Sequence, residues 1–454
     1  MKNYDLVVVG GGPAGYNCAQ YAAKNGLSVA LFEKEKLGGT CLNAGCIPTK
    51  SLLYSAKIFH YAVEAAEGYG IRVGQAALDH AAVMAQKDAV VERLVQGVAS
   101  GLRKCGVDVF TGEAAVEKKD GAFVVTGGTE SVRAASLILA SGSVPAIPPI
   151  PGAKEGLEAG YVVTSNELLR IQDAPKRLVI VGGGVIGIEM ACYFSQAGSR
   201  VTVIDILDKI LGESDREISS LLQSVMTKQG VKFRLGAQVR AIEKGRIVYD
   251  MGGKTQEEKF DTLLLCTGRR PNLAVKGLEE LGLAIERGAI VTDEKCCTNV
   301  PNVYAIGDVN GRMMLAHVGY REGEVAANII LGRKDIMDYS AVCSVVYTQP
   351  EAAFVGMSEE QAKTAGIDYV VKMAPINFSG RHMVENGLSN GLCKILVDKA
   401  KNIIIGASIL SAYSSEYVYA LALMIQNKIP VESILRTVFP HPTVCEIIRE
   451  ALLS

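Results

Sequence analysis

The chain has 454 residues, with 47 lysines and arginines against 48 aspartates and glutamates, a formal net charge of −1. At roughly 100–200 residues per domain this length gives two to four domains, and the even scatter of both charges excludes the basic footprint of a nucleic-acid binder, leaving small molecules or proteins as partners. Eleven irregularly spaced cysteines in so long a chain do not make the disulfide framework of a small secreted domain, so most are expected to be buried, reduced thiols.

The first strand, residues 6–9, is apolar and runs directly into Gly10, Gly11, Gly12 and Pro13. Such breakers exclude a signal peptide's apolar core and a membrane span of about 20 apolar residues. No membrane contact is expected, and the cytoplasm is the default compartment. DLVVVGGGPAGYNCAQYAAKNGLSVALFE then reads as strand, glycine turn, helix and strand. Gly10, Gly12 and Gly15 supply G-x-G-x-x-G, and Glu33 closes the second strand at an offset of 33 − 10 = 23. Just downstream, GGTCLNAGCIPTK carries Cys41 and Cys46, a spacing that suggests a thiol-redox pair beside a nucleotide.

LILASGSVPAIPPIPG is a strand followed by prolines at 145, 148, 149 and 151, which reads as a crossing between domains. RLVIVGGGVIGIEMACYFSQAGSRVTVID repeats the first pattern, with Gly182, Gly184 and Gly187 leading to Asp205, again 205 − 182 = 23. One glycine fingerprint is weak evidence. Two copies, each between an apolar strand and a helix and each followed by an acid, are strong evidence for two dinucleotide sites. The first glycine permits the tight turn, the second lets backbone approach pyrophosphate, and the third allows close helix packing. Glu33 and Asp205 are expected to accept hydrogen bonds from ribose hydroxyls. In the second copy this favours NAD over NADP, since a 2′-phosphate would meet the Asp205 carboxylate followed by Ile206 and Leu207.

A second strand exit, LLLCTGRRPN, ends at Asn272, and NVYAIGDV places Gly307 and Asp308 at a strand end, where open α/β sheets bind ligands. From about residue 340 the pattern changes to strands of an antiparallel sheet, SVVYTQPEAAFVG, LCKILVD and NIIIGASIL, followed by the helix-like EYVYALALMIQ. The expected division is 1–145, 146–268, 269–338 and 339–454. Of the five histidines, His441 in HPTVCE has the context of a base: Pro442 is expected to begin a helix, with Glu446 near enough to orient the imidazole. His60, His80, His317 and His382 read as surface or structural residues. The Cys296–Cys297 doublet lacks a second ligand pair at zinc-like spacing and reads as buried thiols, so no metal is expected.

Over nearly its whole length the chain resembles the pyridine nucleotide-disulfide oxidoreductases, and within them the dihydrolipoamide dehydrogenase branch. GGGPAGY, GGTCLNAGCIPTK, GGGVIGIE, CTGRRPN, YAIGDV, MLAHVGYREGEVAANII, YTQPEAAFVG and HPTVCE carry the resemblance. It implies an α/β fold of two Rossmann-like domains, for FAD and NAD, plus a C-terminal α+β dimerisation domain forming a homodimer. Residues implied at the FAD are Gly10, Gly12, Pro13, Ala14, Gly15, Glu33, Lys34, Gly39, Thr40, Lys50, Ser141, Gly142, Asp308 and Ala316. Those implied at the NAD are Gly182, Gly184, Val185, Ile186, Gly187, Glu189, Asp205 and Gly268.

The resemblance further implies that Cys41 and Cys46 form a redox disulfide, Cys41 facing the substrate and Cys46 the flavin. A disulfide needs Cα atoms within about 7 Å, which one helical turn and a kink supply. A helix starting near Gly38 and Gly39 would favour thiolate. Lys50 and Glu189 are implied as an ion pair beside the flavin, and His441 with Glu446 as the base, set opposite the disulfide of the other protomer. Because the flavin motif begins by residue 5, lipoyl groups are expected to arrive on a carrier protein of a 2-oxoacid dehydrogenase or glycine-cleavage complex. Phe439 and Pro440 stand where the family commonly has His and Ala, and Cys445 where serine is common. Two alternatives stay open: an NAD(P)H-dependent reductase of another small disulfide, and a flavin-containing scaffold subunit with a vestigial redox site.

Overall fold

The computed structural model describes residues 1–454, except for the side chains of residues 64 and 65. They form two compact units, each assembled from separate stretches of chain: Met1–Ser51 with Ala81–Ala146 and Gly268–Asp338, and Leu52–His80 with Ile147–Thr267 and Tyr339–Ser454.

In the first unit the apolar strand Lys2–Val9 lies between Val29–Glu33 and Glu130–Leu139, parallel to both. Asp108–Thr111 extends the parallel row beyond Val29–Glu33. The far edge of the long strand Glu130–Leu139 is shared. Ala122–Gly127 pairs antiparallel with its first half, and Val303–Ala305 pairs parallel with its last three residues. The parallel strands read as unbroken apolar runs because both faces are covered, and Leu6, Val7, Val8, Leu137, Ile138 and Leu139 are fully buried. Each such side chain contributes about 1.5–3 kcal/mol relative to exposure.

Three helices position the candidate site: α1 (Pro13–Lys24), α2 (Gly39–Ala44) and α3 (Cys46–His60). Gly45 separates the last two with φ −150° and ψ −111°, and a side chain there would meet the Thr40 carbonyl oxygen at 2.9 Å. The single kinked helix expected through the cysteines is thus two helices.

The second unit holds a five-stranded parallel sheet in the order Lys232–Leu235, Arg200–Asp205, Arg177–Val181, Thr262–Leu265, Val162–Val163. Its fingerprint helix, Val185–Gln196, is buried from Gly187 to Phe194. A separate five-stranded antiparallel sheet, in the order Cys343–Val346, Glu351–Gly356, Ile403–Ser411, Leu392–Asp398, Tyr369–Pro375, follows in the C-terminal stretch. Its core joins Ile395, Ile409 and Ala407 to Leu421 and Ile447 from the helices Ser414–Gln426 and Ile447–Leu453. The fold is therefore mixed α/β, two parallel sheets preceding an α+β C-terminal region.

Candidate active site

The first fingerprint is held by glycines that admit no replacement. Gly10 has φ +108°, and a Cβ there would lie 2.2 Å from the Ala140 carbonyl oxygen; one at Gly15 would lie 1.8 Å from that of Gly10. Pro13 opens α1 where its missing N–H costs nothing, and no side chain caps the helix, so the first-turn N–H groups suit an anion. Both oxygens of Glu33 accept backbone N–H groups, Oε2 from Gly11 at 2.7 Å and Oε1 from Glu35 at 2.8 Å. The acid expected at the ribose thus also fastens the glycine loop, and each oxygen keeps a lone pair for a hydroxyl. Lys34 is half exposed, 4.0 Å from Glu35.

The same loop meets the start of α2. A Cβ on Gly39 would lie 2.7 Å from the Gly12 Cα, so Thr40 and Cys41 begin their helix directly against the fingerprint. The Cys41 and Cys46 thiols are hydrogen-bonded to each other across the Gly45 break. That contact, together with burial, pushes the Cys41 thiol up, while Lys50 pulls it down. Cys46 is the first residue of α3, whose helix start favours an anion. Lys50 lies one turn further on the same helix.

Sequence reasoning missed three residues, of which the first interacts with Cys46. Arg269 donates from Nε to Ser143 Oγ at 2.8 Å and from a terminal nitrogen to the Ser143 carbonyl at 2.7 Å. Burial lowers its pKa, opposed by Asp308 and Cys46 nearby. Ser143 in turn donates to Asp308 Oδ2. The third is Glu322, fully buried, which accepts the Gly307 N–H at 2.6 Å and Asn310 Nδ2 at 3.0 Å and so fixes the turn that presents Asp308. The two strand exits noted in the sequence make this cluster, for Ser143–Pro145 and Arg269–Pro271 pair antiparallel. Ser141 and Gly142 bind Asn272 from the same place, Ser141 Oγ to its carbonyl at 2.7 Å and the Gly142 carbonyl accepting its N–H at 2.8 Å. Ala316 opens the helix Ala316–Ile330, again without a side-chain cap.

The second fingerprint repeats the first. Gly182 has φ +114° and would set a Cβ 2.4 Å from the Cys266 carbonyl oxygen; at Gly187 one would lie 2.0 Å from that of Gly182. Asp205 accepts from the Gly183 N–H at 2.5 Å and the Leu207 N–H at 2.8 Å. Gly184, before Val185 and Ile186, has no atom within 4 Å of its absent side chain, and neither has Gly268. Beyond Asp205, Ile206 and Leu207 are exposed; Lys209 donates to the Ser214 carbonyl and Arg216 meets Asp208 at 3.2 Å through both terminal nitrogens. Glu189, 3% exposed, accepts the Tyr347 N–H at 2.9 Å.

His441 Nδ1 lies 2.9 Å from Glu446 Oε2, with the imidazole 77% exposed and the carboxylate 13% exposed. The pairing expected from the sequence is there, but Pro442 does not begin a helix. The His441–Pro442 peptide is cis, and the helix starts only at Ile447. Residues 441–446 instead form a turn fastened by Thr443 Oγ1 to the Pro440 carbonyl at 2.8 Å and by Ser379 Oγ to the Thr443 carbonyl at 3.0 Å. Phe439 and Cys445 pack against the C-terminal core, and Cys445 Sγ sits 3.3 Å from Thr443 Oγ1.

The remaining histidines are structural or at the surface. His80 binds the Tyr193 hydroxyl at 2.7 Å and the Ile171 carbonyl at 2.9 Å, His382 binds Ser389 Oγ at 2.7 Å, and His317 is exposed. All eleven cysteines are free thiols, but only Cys18, Cys192, Cys296 and Cys393 are buried, fewer than expected. The doublet is split: Cys296, at φ +61°, turns into the core while Cys297 stays partly exposed. Among the described residues no group of three or more His, Cys, Asp or Glu is placed to hold a metal, and no helix is long and apolar enough to cross a membrane.

The residues fit two dinucleotides. The backbone is open at Gly142, Gly184 and Gly268, where a Cβ would meet nothing within 4 Å, and Gly12 and Gly184 each precede a helix start that no side chain caps. The chain matches the model of the family described as pyridine nucleotide-disulphide oxidoreductase over residues 4–323, and that family's dimerisation domain over 342–452. It is 37% identical over 452 residues to a dihydrolipoyl dehydrogenase of Mycoplasma genitalium, covering 99% of this chain and 97% of the relative. With a dihydrolipoyl dehydrogenase of Acholeplasma laidlawii it shares 45% identity over 331 residues, 73% of this chain and 97% of that one. Among solved structures, the Cu(II) complex of the HOCl-induced flavoprotein disulfide reductase RclA from Escherichia coli aligns with TM-score 0.87 at 28% identity, covering 100% and 99%. LpdA from Mycobacterium tuberculosis shares the fold, with TM-score 0.90 at 24% identity over 100% and 99%.

Proposed function

The chain belongs to the pyridine nucleotide-disulphide oxidoreductases, flavoproteins that also use a pyridine nucleotide, and from that premise we propose that it is a dihydrolipoamide dehydrogenase using NAD. Its dimerisation domain implies a homodimer. The observation that carries the reading is the contact of the Cys41 and Cys46 thiols across the Gly45 break, with Lys50 one turn beyond.

In this reading His441, oriented by Glu446, takes a proton from one thiol of the substrate, because thiolate is the attacking species. The thiolate attacks Cys41 of the oxidised pair, forming a mixed disulfide and releasing Cys46 as thiolate. The second substrate thiol then attacks the substrate's own sulfur, closing the cyclic disulfide and freeing Cys41. The helix start at Cys46 and the charge of Lys50 hold the released thiolate. When bound, FAD takes the electron pair from the cysteines and hands it to NAD as hydride. Glu33 and Asp205 shape the loops on which the two cofactors rest. Exposed Ile206 and Leu207, with Arg216 engaged by Asp208, offer nothing to a 2′-phosphate and support NAD over NADP. Glu189 is assigned as the counter-charge of Lys50, and His441 as the base of the other protomer's cysteine pair. A lipoylated carrier of a 2-oxoacid dehydrogenase or glycine-cleavage complex is the proposed partner.

The test is turnover of dihydrolipoamide with NAD against NADPH-driven reduction of small disulfides. Faster turnover of the first couple is expected, with Cys46→Ser losing at least about a thousandfold. Preference for NADPH and another disulfide would replace this reading by the reductase that the 28% identity to RclA suggests.

A further inference from the structure

The helix Ala316–Ile330 lies close against α1 because small residues face one another. A Cβ on Gly319 would lie 2.9 Å from the Ala14 Cβ, and one on Gly323 would lie 2.9 Å from the Cys18 Cβ. This approach brings Tyr320 against Tyr16, hydroxyl to hydroxyl at 2.6 Å, with ring centroids 6.0 Å apart at 61°. Tyr16 is four residues along from Gly12, and Cys41 is two residues along from Gly39, the two glycines whose backbones nearly touch. The phenols and the sulfurs thus stand a few residues from one backbone contact, and both phenols interact electrostatically with both Cys41 and Cys46.

A pair of hydroxyls spends one O–H on its internal bond and keeps the other for an outside acceptor. Burial and the contact with Tyr320 push Tyr16 up, and burial pushes Tyr320 up, so both remain protonated donors at every working pH. The charged groups at the sulfurs are Lys50 from α3 and Arg269, the latter beside Asp308. Those cations act through distance. A neutral O–H acts through direction.

We propose that Tyr16 and Tyr320 are positioning residues for the redox cysteines, the free O–H of the pair donating to the thiolate made when the Cys41–Cys46 disulfide is reduced. A dithiol supplies two electrons and two protons and closes to its own disulfide; the S–S bond of the pair breaks, one sulfur takes a proton and leaves as thiol, the other leaves as the thiolate that the phenol pair holds, and the second proton passes to solvent. The proposal rests on reading Cys41 and Cys46 as a redox pair.

Holoenzyme, wild type and the Tyr16→Phe, Tyr320→Phe and double variants, is reduced with dithiothreitol and alkylated with iodoacetamide across a pH series, and Cys41 and Cys46 peptides are quantified by mass spectrometry. Phenylalanine keeps the ring packing and removes only the hydroxyl. In the double variant the midpoint of alkylation is expected to rise by about one pH unit, roughly tenfold less thiolate at a fixed pH below it, with each single variant shifted less. An unchanged midpoint in the double variant overturns the proposal, as do two unshifted single variants should the double fail to fold. If wild type itself forms no reversible Cys41–Cys46 disulfide on reoxidation, the redox reading fails first and separately.

Discussion

The two glycine fingerprints are built alike and then diverge within a few residues of their acids. Gly10 and Gly182 have φ +108° and +114°, and Gly15 and Gly187 each approach the carbonyl of the first glycine, to 1.8 and 2.0 Å from an added Cβ. Glu33 and Asp205 each fasten the middle glycine and the residue two beyond themselves. After Glu33 the chain returns to the loop, pressing Gly39 on Gly12 and delivering Cys41 and Cys46. After Asp205 it runs outward through Ile206 and Leu207 to Asp215, which caps the helix Arg216–Lys228. The cradle is common to both, and in the proposed reading the segment that follows decides whether a nucleotide is merely held or has redox sulfurs set beside it.

The sharpest break of this comparison is to fill the third glycine of each copy. A methyl 1.8 or 2.0 Å from a carbonyl oxygen cannot be absorbed by a flexible side chain, and backbone must move. Gly15→Ala is expected to purify without flavin, while Gly187→Ala keeps its flavin and loses about a hundredfold in apparent affinity for NAD. Absorbance spectra and nucleotide titration read both. Loss of flavin from Gly187→Ala would mean that the copies are not independent cradles.

A smaller effect is expected at Asp215, which has no counterpart after the first fingerprint. Its Oδ1 caps the helix, and its Oδ2 meets Lys394 Nζ at 2.8 Å; Lys394 also meets Glu359 at 2.7 Å. Burial disfavours the Lys394 charge, but its hydrogen bonds to both carboxylates outweigh this and raise its pKa. Hydrogen bonds from Lys394 and Lys363 hold Glu359 down at about 2. A depressed carboxylate stabilises the fold above its unfolded pKa of about 4.5 and loses that contribution as pH falls toward 2. Lys394→Met leaves the buried Asp215 carboxylate without its cation and Glu359 with Lys363 alone, and is expected to cost about 2–3 kcal/mol at neutral pH. Thermal unfolding should show the gap from wild type narrowing below pH 4.5; a gap constant to pH 3 would remove the ion cluster as its cause.

What the sequence made legible was local. The glycines, the acids and the cysteines all declare themselves within 46 − 10 = 36 residues of one another, because a tight turn, a helix start and a close backbone approach each demand a particular residue at a fixed offset. What stayed hidden is joined across the chain. Arg269 reaches Ser143 across 126 residues and Tyr320 reaches Tyr16 across 304, through strand pairing and helix packing that no offset announces. Glu322 sits on a helix where its spacing marks nothing, and its task comes from burial beneath the Gly307 turn. Pro442 misled for the reverse reason. A proline that can open a helix does so only if its neighbours are free to follow, and Ser379 and Thr443 tie those neighbours into a turn.

The finest distinction between the copies lies in the acids themselves. Glu33→Gln and Asp205→Asn each keep the shape and remove the charge, but the amide has a single acceptor oxygen, so one of the two backbone N–H groups keeps a weaker bond and the other faces an NH2 donor, a loss of about 1 kcal/mol or more. Each variant should lose roughly five- to tenfold in affinity for its own dinucleotide. Asp205→Asn carries a second consequence, because it removes the carboxylate that a 2′-phosphate would face. NADP should improve relative to NAD, yet only by removal of repulsion, since Arg216 remains held by Asp208 and Lys209 by the Ser214 carbonyl. The ratio of kcat/KM for the two nucleotides checks this. An unchanged ratio would show that Asp205 serves the glycine loop alone and leaves the ribose to other groups.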